Sequence, residues 1–401
     1  MRISRTKNIS YPTVIINPFI IKNNIKIVKE LTKKDLILVL KSNAYGLQFD
    51  IIFDIIKDLV NKIALNNLKE FFEYKVYQKV SNNFKVLLLF PEFDENLINQ
   101  AIQFKNIINF SIFSYEYFLF LKEILLKKKV VLDVELEIDT GMNRTGIKFF
   151  EINKIQEVLD FKFFNIKGVY THLRSDNVYD IYFQLTNFKE FLKKFKNNNW
   201  DIHFLNSVGV LRFIQYLQDF SYFSDNTFKD FNLKDFLDII NLSNYVRIGI
   251  LIYGIVPSFE LLSLKNKLNI KNAIKIKLPF IGVKEVLKNE SVGYFNKDIN
   301  GFVDNDSLVA LVYCGYSVFP FSKKLLFHVY DDYGDYIANS IGPMSMDITE
   351  ILIRDKNLKE IYLVDDLLNL EENAFNNSLP VYNYLTGLNS FNKVDFILDY
   401  S

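Results

Sequence analysis

Asp133-Val134-Glu135-Leu136-Glu137-Ile138-Asp139 runs straight into Thr140-Gly141-Met142-Asn143-Arg144-Thr145-Gly146, and the fold turns on how this stretch is read. Acidic and apolar residues alternate with the period of an extended strand, so Glu135, Glu137 and Asp139 share one face. A row of acids there calls for a cation. The two glycines that follow bracket Arg144, and a tight turn would direct that guanidinium back over the strand end, where it suits a carboxylate or phenolate. A surface arginine in a turn is the plainer alternative.

Outward from this strand the same texture recurs. Short apolar runs rich in β-branched residues fall at 36–41, 62–65, 85–90, 106–113, 133–139, 166–172, 202–206 and 245–249. Between them lie amphipathic stretches such as 115–128 and 180–196, with apolar residues every three or four positions. Eight strand-helix units predict a closed parallel barrel, which takes about 250 residues. After Pro257 the runs become short, β-prone and separated by Asn, Asp and Gly. The expected architecture is therefore α/β: an N-terminal (β/α)8 TIM-type barrel over residues 10–262, then a mostly-β domain over 263–401.

Composition narrows the function. With 48 basic and 47 acidic residues among 401, no global field steers the chain to nucleic acid or an anionic membrane, so a small-molecule partner is expected. The single cysteine, Cys314, excludes an intrachain disulfide and multi-cysteine metal sites, and fits a reducing compartment. Asn17 and Pro18 interrupt the first apolar stretch, and no uncharged apolar run reaches the ~18 residues of a membrane span. A cytoplasmic protein is expected.

Several residues at predicted strand ends could carry chemistry. Lys41 opens Lys41-Ser42-Asn43-Ala44-Tyr45-Gly46 at the C-terminal mouth, where barrel enzymes keep their active sites; a snorkelling surface lysine is the alternative. His172 and His203, two of only three histidines, fall on late strands, as core residues or as site residues, and without cysteines they make no case for a metal. Ser207 follows strand seven, and Gly249 and Ile250 follow strand eight, a pairing of loops that commonly holds a phosphate. Arg247 shares a strand face with Gly249.

Taken in order, these strings resemble the alanine racemase family of barrel-type pyridoxal-phosphate enzymes, from Pro12 nearly to the C-terminus. The Lys41 string resembles the cofactor-lysine motif and 139–146 the arginine loop, while Thr171-His172, Asn206-Ser207 and Val246-Arg247-Ile248-Gly249-Ile250 resemble later barrel motifs. In the second domain Val292-Gly293-Tyr294 resembles the motif of a second base. Gly342-Pro343-Met344-Ser345-Met346-Asp347 resembles the substrate-carboxylate loop, and 380–387, with Tyr382, the C-terminal phosphate segment.

The resemblance implies an isomerase that interconverts L- and D-alanine and supplies D-alanine for peptidoglycan. Lys41 would bind pyridoxal 5'-phosphate covalently and act as one base, with Tyr294, in trans from a partner subunit of a homodimer, as the other. Tyr45, His172, Ser207, Arg247, Gly249, Ile250 and Tyr382 would hold the cofactor, and Arg144 and the Met346 amide the substrate carboxylate. Glu137, His203, Tyr316 and Asp347 would support them; Glu137 stands where many relatives carry a carbamylated lysine, and is expected to orient Arg144 directly. Leu47-Gln48 and Cys314-Gly315-Tyr316-Ser317-Val318-Phe319 depart from the family pattern at the entrance, where bulky Tyr316 and Phe319 favour a small substrate. A broad-specificity racemase, or a relative that binds the cofactor without catalysis, shares most of these residues.

Overall fold

The computed structural model describes residues 11–195, 199–218, 233–294, 301–319, 325–388 and 394–400. Over these residues the chain forms two compact units, one from Lys26–Ala44 and Phe49–Gly249, the other from Met1–Ile25, Tyr45–Gln48 and Ile250–Ser401. The units therefore interleave along the chain rather than dividing at a single point.

Strand β1 (Thr13–Ile16) belongs to the second unit. The next nine lie in the first: β2 (Asp35–Val39), β3 (Lys62–Leu65), β4 (Lys85–Leu88), β5 (Ile108–Ile112), β6 (Leu132–Asp139), β7 (Ile147–Lys148), β8 (Phe164–Tyr170), β9 (Asp201–His203) and β10 (Tyr245–Ile248). All but β7 join in a parallel ring, β2-β3-β4-β5-β6-β8-β9-β10, which closes where β10 pairs with β2. This is the expected barrel. Every residue of β3 and β5 is buried, the polar Lys62, Asn109 and Ser111 included, as strands covered on both faces must be.

The surrounding helices follow from equally local signals. Helix Tyr115–Lys128 buries Tyr117, Phe118, Leu121, Ile124 and Leu125, one stripe at helical spacing, and Ser114 caps it by accepting from the Tyr117 N–H at 3.1 Å. Helix Val178–Lys194 is capped by Asn177; the expected end of this helix at Lys196 lies outside the described residues.

The second unit continues with β11 (Ile274–Leu278), β12 (Phe280–Val286), β13 (Ser307–Val312), β14 (Leu326–Asp331), β15 (Gly334–Asn339), β16 (Thr349–Ile353), β17 (Glu360–Val364) and β18 (Asp395–Leu398). A six-stranded sheet runs β15-β14-β17-β11-β1-β18 and a three-stranded one β12-β13-β16, so the unit is mostly β, as its composition predicts. The early strand β1 is enclosed by late ones, antiparallel to β11 and parallel to β18.

The Asn17-Pro18 pair that breaks the apolar N-terminal run is a helix start: Asn17 Oδ1 accepts from the Ile20 N–H at 3.0 Å, and Pro18 is the first residue of helix Pro18–Thr32. One turn on, fully buried Asn24 donates from Nδ2 to the carbonyls of Ile252 (3.1 Å) and Lys271 (2.8 Å) and accepts from the Lys271 N–H (3.1 Å). Gly254 nearby sits at φ +74°, with no room for a Cβ beside the Lys271 carbonyl. Asn24→Ala strands three backbone groups and should cost about 2–4 kcal/mol. Urea denaturation checks this: an unchanged midpoint would mean that these bonds contribute nothing.

Candidate active site

Strand β2 stops at Val39, two residues short of Lys41, because the backbone turns left-handed. Ser42, Asn43 and Ala44 lie at φ 54–56° and ψ 45–50°, and Tyr45 and Gly46 extend the positive-φ run. For L-residues each such step costs roughly 1–2 kcal/mol, so the turn requires external support. Glu70 supplies it: Oε1 accepts from the Ser42 N–H at 2.7 Å and Oε2 from the Asn66 N–H at 2.8 Å. Asn43 Oδ1 adds a bond from the Phe49 N–H at 2.6 Å. Burial lowers the Lys41 pKa from its ordinary 10.5; the Arg144 charge adds to this, Glu70 opposes it and Arg247 adds again. The result is a larger fraction of free, nucleophilic amine.

Glu70 escapes a reading by motif. Its signal is present, since Asn67-Leu68-Lys69-Glu70 has capping-box spacing and Asn67 Oδ1 accepts from the Glu70 N–H at 3.0 Å. The spacing explains the helix start. Only the fold adds Ser42 as a second client.

Arg247, on β10, is 4% exposed and finds an acceptor on each side. Nη1 donates to His203 Nδ1 at 2.5 Å; Nη2 donates to the Thr171 carbonyl at 3.1 Å and to His172 Nδ1 at 3.3 Å. Both imidazoles are held neutral. Burial drives the His172 pKa down to about 3, helped by the charges of Arg247, Arg144 and Lys41. Burial likewise lowers His203 to about 3, with Glu135 opposing it.

The acidic row of β6 is divided among different partners. Fully buried Glu135 contacts Lys62 Nζ (2.7 Å), Asn109 Nδ2 (2.6 Å) and His203 Nε2 (2.7 Å). Burial works against its ionisation, but Lys62 and then His203 hold the carboxyl well below the usual range. Asp139 pairs with Lys148 at 2.7 Å and accepts from the N–H groups of Gly141 and Asn143, shaping the arginine loop. A Cβ on Gly146, at φ +93°, would meet the Asp139 nitrogen at 2.7 Å, so the glycine is required there. Glu137 differs from expectation: its Oε1 accepts from Thr145 Oγ1 at 3.0 Å, and among the described residues it forms no ion pair with Arg144. Arg144 itself is exposed and acts on Glu137 only through its field.

The loops after strands seven and eight of the barrel do meet. Ser207 opens helix Ser207–Gln218, and its Oγ accepts from the Gly249 N–H at 3.3 Å. The structure thus draws Lys41, Arg144, His172, His203, Ser207, Arg247, Gly249 and Glu137 to the strand ends and interior of the barrel unit.

The β unit gathers the remaining predicted residues into two groups. Tyr45 lies 6.1 Å from Tyr382, ring centre to ring centre, and Ile250 is fully buried. In the second group, the Tyr316 N–H donates to the Ser345 carbonyl (3.2 Å), the Ser317 N–H to the Met346 carbonyl (2.8 Å) and Ser317 Oγ to Asp347 (2.6 Å). Gly342 packs against Val292 and Gly293 against Pro343, which brings the Tyr294 turn to the same loops. Tyr294, Met346 and Tyr316 are 70%, 55% and 50% exposed. Phe319, expected at the entrance, is fully buried and serves as core.

Residues 16–222 match the model of the alanine racemase N-terminal domain. The chain belongs to the alanine racemase family. The alanine racemase of Borreliella burgdorferi strain ZS7 is 29% identical over 292 residues, 71% of this chain and 70% of the relative. That of Fusobacterium nucleatum is 26% identical over 378 residues, 92% and 94% of the two chains. Among solved structures, alanine racemase from Clostridium difficile 630 superposes with a TM-score of 0.75 at 20% identity, covering 98% of this chain and 97% of the other. The Bartonella henselae enzyme, with covalently bound pyridoxal phosphate, gives 0.77 at 19% identity, covering 97% and 100%. At these identities the superpositions establish the fold.

Within this alanine racemase fold, the built-in carboxylate Glu137 has a measurable signature. Burial raises its pKa from the ordinary 4.5 to about 7, against the pull of Thr145 and of Arg247. The folded state then retains a proton that the unfolded chain has released, so this group weakens folding as pH climbs from about 4.5 to about 7. Compared with Glu137→Gln, the wild type should lose on the order of 3 kcal/mol over that window. Denaturation of both proteins at a series of pH values tests this, and a difference independent of pH would sink it.

Proposed function

We propose that this chain is an alanine racemase that interconverts L- and D-alanine, with Lys41 and Tyr294 as bases on opposite faces of Cα. The observation that carries the reading is the Lys41 amine, its proton affinity lowered by burial, held on a braced left-handed turn within the field of Arg144 and Arg247. Racemisation removes a proton from one face and returns it on the other, so one base alone would mostly regenerate its own enantiomer.

The donor set fits pyridoxal phosphate. Lys41 offers an amine whose proton affinity is lowered, Arg247 a cation with no hydrogen bond at Nε among the described residues, and Ser207 a hydroxyl at a helix start, beside Gly249. Tyr45, Tyr382 and Ile250 complete the proposed holding set, with His172 behind Arg247. When bound, the cofactor supplies an aldehyde for the substrate amine and a conjugated ring that accepts charge from Cα. Arg247 would stay cationic, because a guanidinium hardly ever releases its proton, and would disfavour protonation of a ring nitrogen held beside it. Arg144 and the Met346 amide receive the substrate carboxylate, and Asp347, bonded to Ser317, steadies that loop.

The exposure of Tyr294, Tyr316 and Met346 on adjoining loops supports a second copy of this chain as their cover, with Tyr294 of the partner subunit completing each site. Tyr316 narrows the entrance to a small substrate. No described helix is long and apolar enough to cross a membrane, and the lone cysteine fits a cytoplasmic enzyme whose D-alanine enters peptidoglycan.

Purified protein supplied with pyridoxal phosphate should form D-alanine from L-alanine, and Lys41→Ala should lower the rate on the order of 10³-fold or more. Chiral chromatography decides: no D-alanine from folded, cofactor-loaded protein defeats the reading, and equal rates on larger amino acids turn it to a broad-specificity racemase. Mixing equal amounts of Lys41→Ala and Tyr294→Phe subunits should restore about a quarter of wild-type activity, since half the dimers are mixed and each has one intact site. No recovery after verified subunit exchange rules out a shared site.

A further inference from the structure

The acidic row on β6 contains one member that the proposed reaction leaves unused. Glu135 is fully buried, and its partners come from three other strands: Asn109 on the neighbouring β5, and Lys62 on β3 and His203 on β9, which do not pair with β6. Lys62, 2% exposed, also reaches Asp201 on β9 at 2.8 Å. Neither β6 nor β9 neighbours β3, so these contacts run through the barrel interior. A carboxylate and an ammonium at that depth are expensive to desolvate, and aliphatic side chains would fill the space at less cost.

The direction of the hydrogen bonds suggests what the pair does. A guanidinium only donates, so His203 Nδ1, 2.5 Å from Arg247 Nη1, must present a lone pair. The neutral ring therefore carries its proton on Nε2, which faces Glu135 Oε2 at 2.7 Å. An ionised carboxylate accepts and never donates, so it secures that tautomer, as the buried acid of a catalytic triad secures its histidine. Lys62 in turn keeps the carboxylate ionised.

We propose that Glu135, with Lys62 as its counter-ion, is a positioning residue for Arg247: by locking the His203 tautomer it holds the guanidinium in its cofactor-facing orientation. This rests on the reading of Arg247 as the group beside the cofactor ring. Without the lock, His203 can move its proton to Nδ1, two donors then face each other, and Arg247 loses its anchor. The expected chemical consequence is leakage into transamination, in which alanine's amino group passes to the cofactor aldehyde, giving pyruvate and the cofactor amine.

The test pairs Glu135→Gln with Glu135→Gln/Lys62→Met. In the single variant the Lys62 ammonium claims the amide oxygen and turns the NH2 toward His203. In the double variant that competitor is gone, and Asn109, whose Oδ1 has no partner among the described residues, can accept from the NH2, leaving the oxygen to His203. With only three histidines, ¹⁵N spectra of the cofactor-free protein read the His203 tautomer directly. We expect Nε2–H in the wild type, loss of it in Glu135→Gln and its return in the double variant. The ratio of pyruvate to D-alanine formed by loaded enzyme should rise on the order of tenfold in the single variant and fall back in the double.

A wild-type tautomer in Glu135→Gln, or its absence from the folded double variant, overturns the proposal. A changed tautomer with an unchanged product ratio overturns the link to Arg247 while leaving the racemase reading intact. A wild type that makes no D-alanine defeats the racemase reading, and the tautomer prediction still stands or falls on the cofactor-free spectra. If the single variant does not fold, the double variant decides alone.

Discussion

A guanidinium enclosed in a protein must be surrounded by acceptors, because it stays charged at every accessible pH. Arg247 imposes that condition on the barrel. Two imidazoles serve as acceptors only while neutral, and burial drives both to about 3 so that they remain so. One of them then has an N–H pointing inward, which requires Glu135; Glu135 at that depth requires Lys62; and Lys62 reaches on to Asp201. Each residue follows from the one before it through the cost of leaving a buried polar group unmatched. This chain of contacts carries polar groups from Arg247 into the barrel interior.

The lysine turn is a different problem with a similar solution. Left-handed backbone at Ser42, Asn43, Ala44 and Tyr45 is unfavourable for each residue on its own, and no glycine relieves it before Gly46. Strain of this kind persists where the surroundings over-determine it. Here one carboxylate, Glu70, ties the turn after β2 to the N–H after β3, and an asparagine within the turn ties it forward to Phe49. The amine is therefore carried on a braced backbone, which would suit the base proposed for one face of Cα.

In the β unit the economy is reversed. Most large apolar side chains are core, Phe319 among them, yet Tyr294, Tyr316 and Met346 project from loops that are themselves tied by backbone bonds. Ordered backbone beneath exposed aromatic side chains is the pattern of a surface made to be covered. Where the function needs a base from a second chain, that is the surface the second chain would meet.

The strands of the barrel were legible from the amino-acid order alone, because their apolar β-branched runs are local and each must be buried on both faces. So were the ordered strings around Lys41, Arg144, His172, Ser207, Arg247 and Tyr294, whose combination identifies the family. Tertiary structure alone decided who partners whom. Glu137 bonds Thr145 instead of Arg144, Glu70 braces a turn 28 residues away, and Lys62, which reads as an ordinary charged strand start, is the counter-ion of a glutamate across the barrel. Periodicity reports which face of a strand a side chain occupies, but it carries no record of which other strand that face will meet; closing the ring supplies it, and the demand that every buried charge find its complement completes the pairing.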